Sequence, residues 1–279
     1  MVADPLGPAR VAVLGSPIGH SLSPVLHRAA YAELGLTDWS YQAIECTEDR
    51  FGSWFAGLGP QWRGLSLTMP LKQVAIPLLD EVTDLVRVVG AVNTVIWDAD
   101  RRSIGHNTDV HGVVEALRSV GVSTVGSACI LGSGATARSA LAALAQLGCS
   151  DVVVQSRPVD PAEEVLAMAE RLGVRAVRGG LEQVDVALAA EVVIATLPAA
   201  PAAAWASTLP ASRPAGVLLD VTYDPWPTPA ATAWTSADGV AVGGFEMLLN
   251  QAAAQLPLMT GRPAPIDVMR IAGEKALRG

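Results

Sequence analysis

The sequence lacks paired cysteines. Cys46, Cys129 and Cys149 are odd in number and scattered, with none of the spacings of a disulfide framework or a zinc site. Such a set suits a reducing compartment, and the expected location is cytoplasmic. The four histidines, His20, His27, His106 and His111, form no spaced ligand set with cysteine or carboxylates, so no metal is expected. Positive charge is scarce too: 19 Lys and Arg stand against 27 Asp and Glu, a formal net charge of −8. That balance offers no basic face to gain from counterion release, and nucleic acid is not an expected partner. Long apolar runs are missing as well. The first, residues 11–14, is too short for a signal sequence, and the segment around Asp4 before it has no basic region. The Ala/Val-rich stretch 184–205 is broken by Asp185, Glu191, Pro198 and Pro201, which a membrane span does not readily accept. No repeat of fixed period is present. These absences leave a soluble globular protein whose oligomeric state, monomer or homodimer, is open.

What is there is core material: 51% of the 279 residues are hydrophobic and only 16% charged, enough for two modest domains. Residues 10–15 read as a buried strand. Residues 23–34 read as a helix with Ser23 at the N-cap, Pro24 at the first position and Gly35 ending it. Apolar runs at 65–67 and 91–97, separated by a helical stretch over 73–88, continue an α/β alternation. A second alternation begins with a strand at 128–131, a glycine turn, a helix over 136–147 closed by Gly148 and a strand at 152–155. Strands at 192–196 and 217–221 extend a parallel sheet, and ligands gather at such carboxyl strand ends. The segment 246–259 has helical apolar spacing. The expected architecture is α/β in two domains: an N-terminal α/β domain of residues 1–110 completed by the terminal helices 246–279, and a Rossmann-like domain of residues 111–245.

Gly132, Gly134 and Ala137 make a G-x-G-x-x-A turn between strand and helix, with Ser133 and Ala135 inside it. That arrangement brings backbone N–H groups and a helix N-terminus to a pyrophosphate; the same residues also suit a merely tight turn. The next strand ends in Ser156 and Arg157, where an enzyme preferring NAD carries an acid. A guanidinium there matches a ribose 2′-phosphate, which points to NADP. Asp160 nearby keeps NAD open. Ser21 and Ser23 stand at the mouth of the first helix, where a carboxylate fits, although a turn residue and an N-cap would use the same residue types.

Further motifs follow in order: Thr68-Met69-Pro70-Leu71-Lys72, Gly90-Ala91-Val92-Asn93-Thr94, Asn107-Thr108-Asp109, Asp220-Val221-Thr222-Tyr223-Asp224-Pro225, and Gly244-Phe245-Glu246-Met247-Leu248-Leu249-Asn250-Gln251. Together they resemble the shikimate dehydrogenase family over nearly the whole chain. The resemblance implies an N-terminal substrate-binding domain, a Rossmann-like NADP-binding domain, and NADPH-dependent reversible reduction of 3-dehydroshikimate to shikimate on the way to chorismate and the aromatic amino acids. Carried over by position, Ser21, Ser23 and Tyr223 would hold the substrate carboxylate, and Thr68, Asn93 and Gln251 the ring hydroxyls. Lys72 and Asp109 match the catalytic pair. Thr196, Gly244 and Met247 would lie beside the cofactor.

The chemistry fits these residue types. Ketone reduction needs a proton for the developing alkoxide, and a lysine ammonium both donates it and stabilises the negative charge. The chain departs from the family at Ser133, Ala135 and Arg138 in the glycine turn, at Ser156-Arg157-Pro158 where Asn-Arg-Thr is usual, at Ser66 and Leu67 where Asn and Val are usual, and at Met259 where Trp is frequent. Two alternatives follow from the same resemblance: a quinate/shikimate dehydrogenase using NAD, and a catalytically silent paralogue that binds shikimate or NADPH.

Overall fold

Aliphatic runs that end in glycine, proline or a small polar residue set the strands, and helices fill the intervals between them. The computed structural model describes residues 8–160, 162–212 and 214–278; the segment carrying Asp4 lies outside them. One unit reaches Thr108 and resumes at Leu249, and the other is Asp109–Leu248. The first contains β1 (Ala9–Gly15), α1 (Ser23–Glu33), β2 (Trp39–Glu45), α2 (Glu48–Ala56), β3 (Trp62–Leu67), α3 (Leu71–Val74), β4 (Glu81–Val82), α4 (Asp84–Val89), β5 (Thr94–Trp97) and β6 (Ser103–His106). The second contains α5 (Asp109–Arg118), β7 (Ser127–Leu131), α6 (Ala135–Gln146), β8 (Asp151–Gln155), α7 (Glu163–Arg171), β9 (Arg175–Gly179), α8 (Val184–Ala189), β10 (Val192–Ala195), α9 (Ala199–Ala206), β11 (Val217–Asp220), α10 (Pro229–Ser236) and β12 (Val240–Gly243). The boundary back to the first unit falls within α11 (Gly244–Thr260), and α12 (Ile266–Arg278) packs on α1.

The first sheet has the order β2-β1-β3-β5-β6-β4. β1 is parallel to β2 and β3, whereas β3, β5 and β6 run antiparallel. The second sheet, β12-β11-β10-β7-β8-β9, is parallel throughout. Its strand order reverses between β7 and β10, successive strands being added on opposite sides of that pair, the place where α/β sheets open a crevice for ligands. Leu131, Ile130, Val193, Ile194, Leu218 and Leu219 are fully or nearly fully buried in that sheet, each such side chain contributing about 1.5–3 kcal/mol. Among the described residues no helix is long and apolar enough to cross a membrane.

Three local expectations need correction. The stretch 73–88 is not one helix: α3 stops at Val74, Pro77 sits in a 3₁₀ turn, and β4 intervenes before Thr83 starts α4 by accepting from the Val86 N–H at 3.4 Å. A proline lacking an N–H and a capping threonine each break the helix there. Ser23 is the first residue of α1 and Leu22 its cap; the Ser21 hydroxyl accepts from the Ser23 N–H at 3.3 Å instead. Of the run 91–97 only Thr94–Trp97 is strand, because the Val92 N–H turns to the Lys72 carbonyl at 2.7 Å.

The core of the first unit is polar in one place. His27 is wholly buried and stacks on Tyr41, ring centroids 4.2 Å apart and 11° from parallel. Its Nε2–H donates to Gln255 Oε1 at 3.2 Å, while Nδ1 has no partner. Burial pushes the His27 pKa down from 6.5 to about 4, against the smaller opposing effect of the Gln255 hydrogen bond. Because the folded value is the lower one, the unfolded chain takes up this proton first. The associated stability is intact above pH 6.5 and is lost as pH falls to about 4, roughly 3 kcal/mol in all at about 1.4 kcal/mol per unit. Urea unfolding measured from pH 7 to pH 4 should show this loss, and a His27→Phe variant, less stable at pH 7, should lack that part of the slope.

Candidate active site

Main-chain hydrogen bonds at the carboxyl ends of β1 and β3 bring the first unit's motifs together. Thr68 N–H donates to Leu14 O at 2.9 Å, Ser16 N–H to Met69 O at 2.9 Å, and Leu67 N–H to Asn93 O at 2.8 Å. With the Val92–Lys72 bond, these tie the segment 68–72 to the segment 90–94. Lys72 is half-buried in α3, whose short turn begins after Pro70. Thr68 is half-buried at the end of β3, and Ser21 and Ser23 lie at the start of α1. Asn93 and Gln251, both buried, meet directly: Asn93 Nδ2–H donates to Gln251 Oε1 at 3.2 Å and to Thr108 Oγ1 at 2.9 Å. Thus the first unit carries Ser21, Ser23, Thr68, Lys72, Asn93 and Gln251.

Behind Asn93 lies a polar cluster centred on Gln255, a residue outside the sequence motifs. Gln255, 1% exposed, donates from Nε2 to Thr94 Oγ1 at 2.8 Å and Asn93 O at 3.3 Å. Its Oε1 accepts from Ser66 Oγ at 2.9 Å, and Ser66 accepts from the Tyr41 hydroxyl at 2.7 Å. The signal is their spacing: Gln251 and Gln255 are four residues apart on a largely apolar helix, and so share a face.

The second unit carries the remaining candidates. Asp109 is buried and is the first residue of α5, where the helix dipole favours a carboxylate. Gly132 has φ +111°, and a Cβ there would stand 2.5 Å from Thr196 Oγ1, so only glycine fits. Thr196 in turn donates both its N–H and its hydroxyl to Leu131 O, each at 2.8 Å; it closes the β7–β10 crevice floor. Ser133 is buried, and Gly134 caps α6, with nothing within 4 Å of where a Cβ would sit. Ala135 opens that helix. Arg138, a departure from the family pattern, is buried and donates to Glu164 at 2.7 Å, tying α6 to α7.

Ser156 and Arg157 follow β8. The Ser156 hydroxyl is buried without a partner, beside a cavity of about 350 Å³ lined also by Pro158, Arg178, Gly179, Gly180 and Gln183. Arg157 forms a bidentate pair with Asp160, Nε to Oδ2 at 2.9 Å and Nη2 to Oδ1 at 2.8 Å. That pairing lowers the Asp160 pKa and raises that of Arg157. Arg178 Nη2 donates to the carbonyls of Arg157, Pro158 and Asp160, each at 3.1 Å, and so holds the turn. An unfilled buried hydroxyl, an exposed guanidinium and an open glycine at a helix N-terminus fit a dinucleotide bearing a 2′-phosphate.

Tyr223 is half-buried in the loop after β11, which Asp220 organises by accepting from Thr222 N–H at 3.0 Å and Thr228 Oγ1 at 2.7 Å. Gly244 begins α11, where a Cβ would lie 2.0 Å from Val221 O, and Met247 is buried in the same helix. Among the described residues no group of three or more His, Cys, Asp or Glu side chains is placed to hold a metal ion.

Comparison with known proteins matches residues 13–95 to the shikimate dehydrogenase substrate binding domain and residues 244–271 to the shikimate 5′-dehydrogenase C-terminal domain. A shikimate dehydrogenase (NADP(+)) of Microcystis aeruginosa is 34% identical over 269 residues, spanning 92% of this chain and 93% of the relative. The shikimate dehydrogenase crystal structure of Mycobacterium tuberculosis superimposes with TM-score 0.86 at 43% identity, covering 96% of this chain and 100% of that one. The Thermus thermophilus shikimate 5-dehydrogenase, solved in complex with NADP(H) and shikimate, gives TM-score 0.81 at 32% identity, with 96% and 100% covered.

The close approach at the glycine turn is testable. Gly132→Ala should lower unfolding stability by roughly 1–3 kcal/mol and weaken NADPH binding, read by thermal melting and by fluorescence titration of the nucleotide.

Proposed function

The chain belongs to the shikimate dehydrogenase family, and we propose that Lys72 and Asp109 are the catalytic pair with which it interconverts 3-dehydroshikimate and shikimate. The activity is that of an NADP-dependent oxidoreductase of the pathway to chorismate and the aromatic amino acids. The observation that carries the assignment of residues is the direct Asn93–Gln251 hydrogen bond, which joins two motifs 158 positions apart in the chain in one buried cluster.

When bound, NADPH supplies the hydride. The chain's own residues do the rest. Ser21, Ser23 and Tyr223 bind the substrate carboxylate; Thr68, Asn93 and Gln251 bind the ring hydroxyls. The Lys72 ammonium donates its proton to the oxygen of the reduced carbonyl, and in the reverse direction neutral Lys72 removes the proton from that hydroxyl. Asp109 balances the lysine charge. Gly132, Ser133, Gly134 and Ala135 form the pyrophosphate turn, Ser156 and Arg157 bind the adenosine ribose and its 2′-phosphate, and Thr196, Gly244 and Met247 line the nicotinamide end. The acidic charge balance supports small-molecule ligands, and the three buried free thiols support a reducing cytoplasmic setting.

Initial rates of shikimate oxidation with NADP, with NAD and with quinate in place of shikimate test the reading. Turnover should prefer NADP and shikimate, and Lys72→Ala should lower kcat by about 10²–10⁴-fold. Retained turnover in that variant would remove Lys72 from the proton-transfer role.

Asp160 gives a separate expectation. Its exposed pair with Arg157 must yield to the 2′-phosphate, so Asp160→Asn should lower the KM for NADP several-fold relative to NAD. Arg157→Ala should raise it about 10-fold or more, the loss of one charge-assisted bidentate contact.

A further inference from the structure

We propose that Gln255 is a positioning residue for substrate recognition: through Thr94 it fixes the Asn93 amide and, through Asn93, which end of the Gln251 amide faces the ligand. The inference rests on the assignment of Asn93 and Gln251 to the ring hydroxyls.

A primary amide offers two donors and two acceptor lone pairs, and Gln255 uses all four. The backbone oxygen of Asn93 can only accept, so the Gln255 nitrogen must face it and Thr94, and its oxygen must face Ser66 and His27. That fixes the orientation of the amide without reference to anything else. Thr94 Oγ1, accepting from Gln255, turns its single proton to Asn93 Oδ1 at 2.8 Å, and the Thr108 N–H reaches the same oxygen at 2.8 Å. With two donors converging on Oδ1, the Asn93 amide cannot flip, and its nitrogen must face Thr108 Oγ1 and Gln251 Oε1. Gln251 therefore turns its carbonyl to Asn93 and its amide nitrogen to the opposite side, the donor that the assignment above gives to a ring hydroxyl. Three amides and one hydroxyl form a one-way sequence of proton positions, set at Gln255.

The other side of Gln255 holds it there. Ser66 donates to it and receives the Tyr41 proton. All of these residues are buried, where a mispointed amide loses partners that water cannot replace.

The test uses Gln255→Met, which keeps the volume and removes every amide hydrogen bond, and Thr94→Val, which removes only the connecting hydroxyl. Both should raise the KM for shikimate, about 10-fold for the first and several-fold for the second, with matching changes in Kd from calorimetric titration of shikimate. The KM for NADP should stay within 2-fold and kcat within 3-fold. The double variant should be little worse than Gln255→Met alone, because both act on one path. A lowered melting temperature with unchanged shikimate KM and Kd in both variants would overturn the proposal and leave Gln255 a core residue only. If Gln255→Met does not fold, Thr94→Val decides. Failure of the wild-type protein to oxidise shikimate would instead count against the functional reading itself.

Discussion

The antiparallel register that sets Ser66 opposite Thr94 is the constraint on which the first unit's site depends. β3 runs parallel to β1 and delivers Thr68, Met69 and Lys72 past its carboxyl end; β5 runs against it and begins at Thr94, so Asn93 emerges at the same end. A slip of one residue would exchange the faces of β5 and separate Asn93 from Gln255. The register is therefore held from several sides at once. The Leu67–Asn93 and Val92–Lys72 main-chain bonds hold it along the strand ends, and the Gln255 amide holds it from α11. Substrate-binding candidates that are far apart in sequence meet because one strand pair has one permitted alignment.

The second unit uses a different constraint. Its sheet is parallel, and the strand order reverses between β7 and β10, the switch point at which such sheets open toward ligands. Gly132 packs closely on Thr196 at the ends of that strand pair, and the absence of a side chain at Gly134 keeps the start of α6 open. The Arg157–Asp160 pair, to which we assign cofactor selectivity, lies in an exposed turn. Arg157 already has an acidic partner in Asp160, and Arg178 donates to three carbonyls of the same turn.

Much of this was legible in the sequence, for physical reasons that differ by region. The parallel strands of the second unit read clearly because buried strands appear as continuous apolar runs closed by small residues, as at residues 128–131 and 192–195. The glycine turn was legible for the same reason: backbone conformation restricts residue choice. The stretch 73–88 was misread because its apolar spacing is helical while Pro77 and Thr83 break the hydrogen-bond pattern locally. Ser23 was placed one position out because Ser-Pro reads as cap and first residue, whereas Ser21 takes the capping-type contact. Gln255, Ser66, Tyr41 and His27 were not legible as a group. No two of them are close in sequence, and each polar residue alone looks like any other; only the fold reveals that their donors and acceptors match.

The contrast between the two polar regions follows from the charge of what each would bind. Ring hydroxyls are neutral, and a neutral hydrogen bond contributes only about 1 kcal/mol net, so recognition depends on every donor and acceptor being oriented before the ligand arrives. Entropy lost in ordering the amides must be met during folding, and the saturated cluster around Asn93 does this. A phosphate dianion interacts far more strongly with a guanidinium, and Arg157 can be left at the surface, paired with Asp160, because the incoming charge is strong enough to displace a screened carboxylate. Precision in the first unit and exchangeability in the second are thus two solutions to one problem: placing fixed polar groups where the ligand's own polarity would be weak, and a single exposed charge where it would be strong.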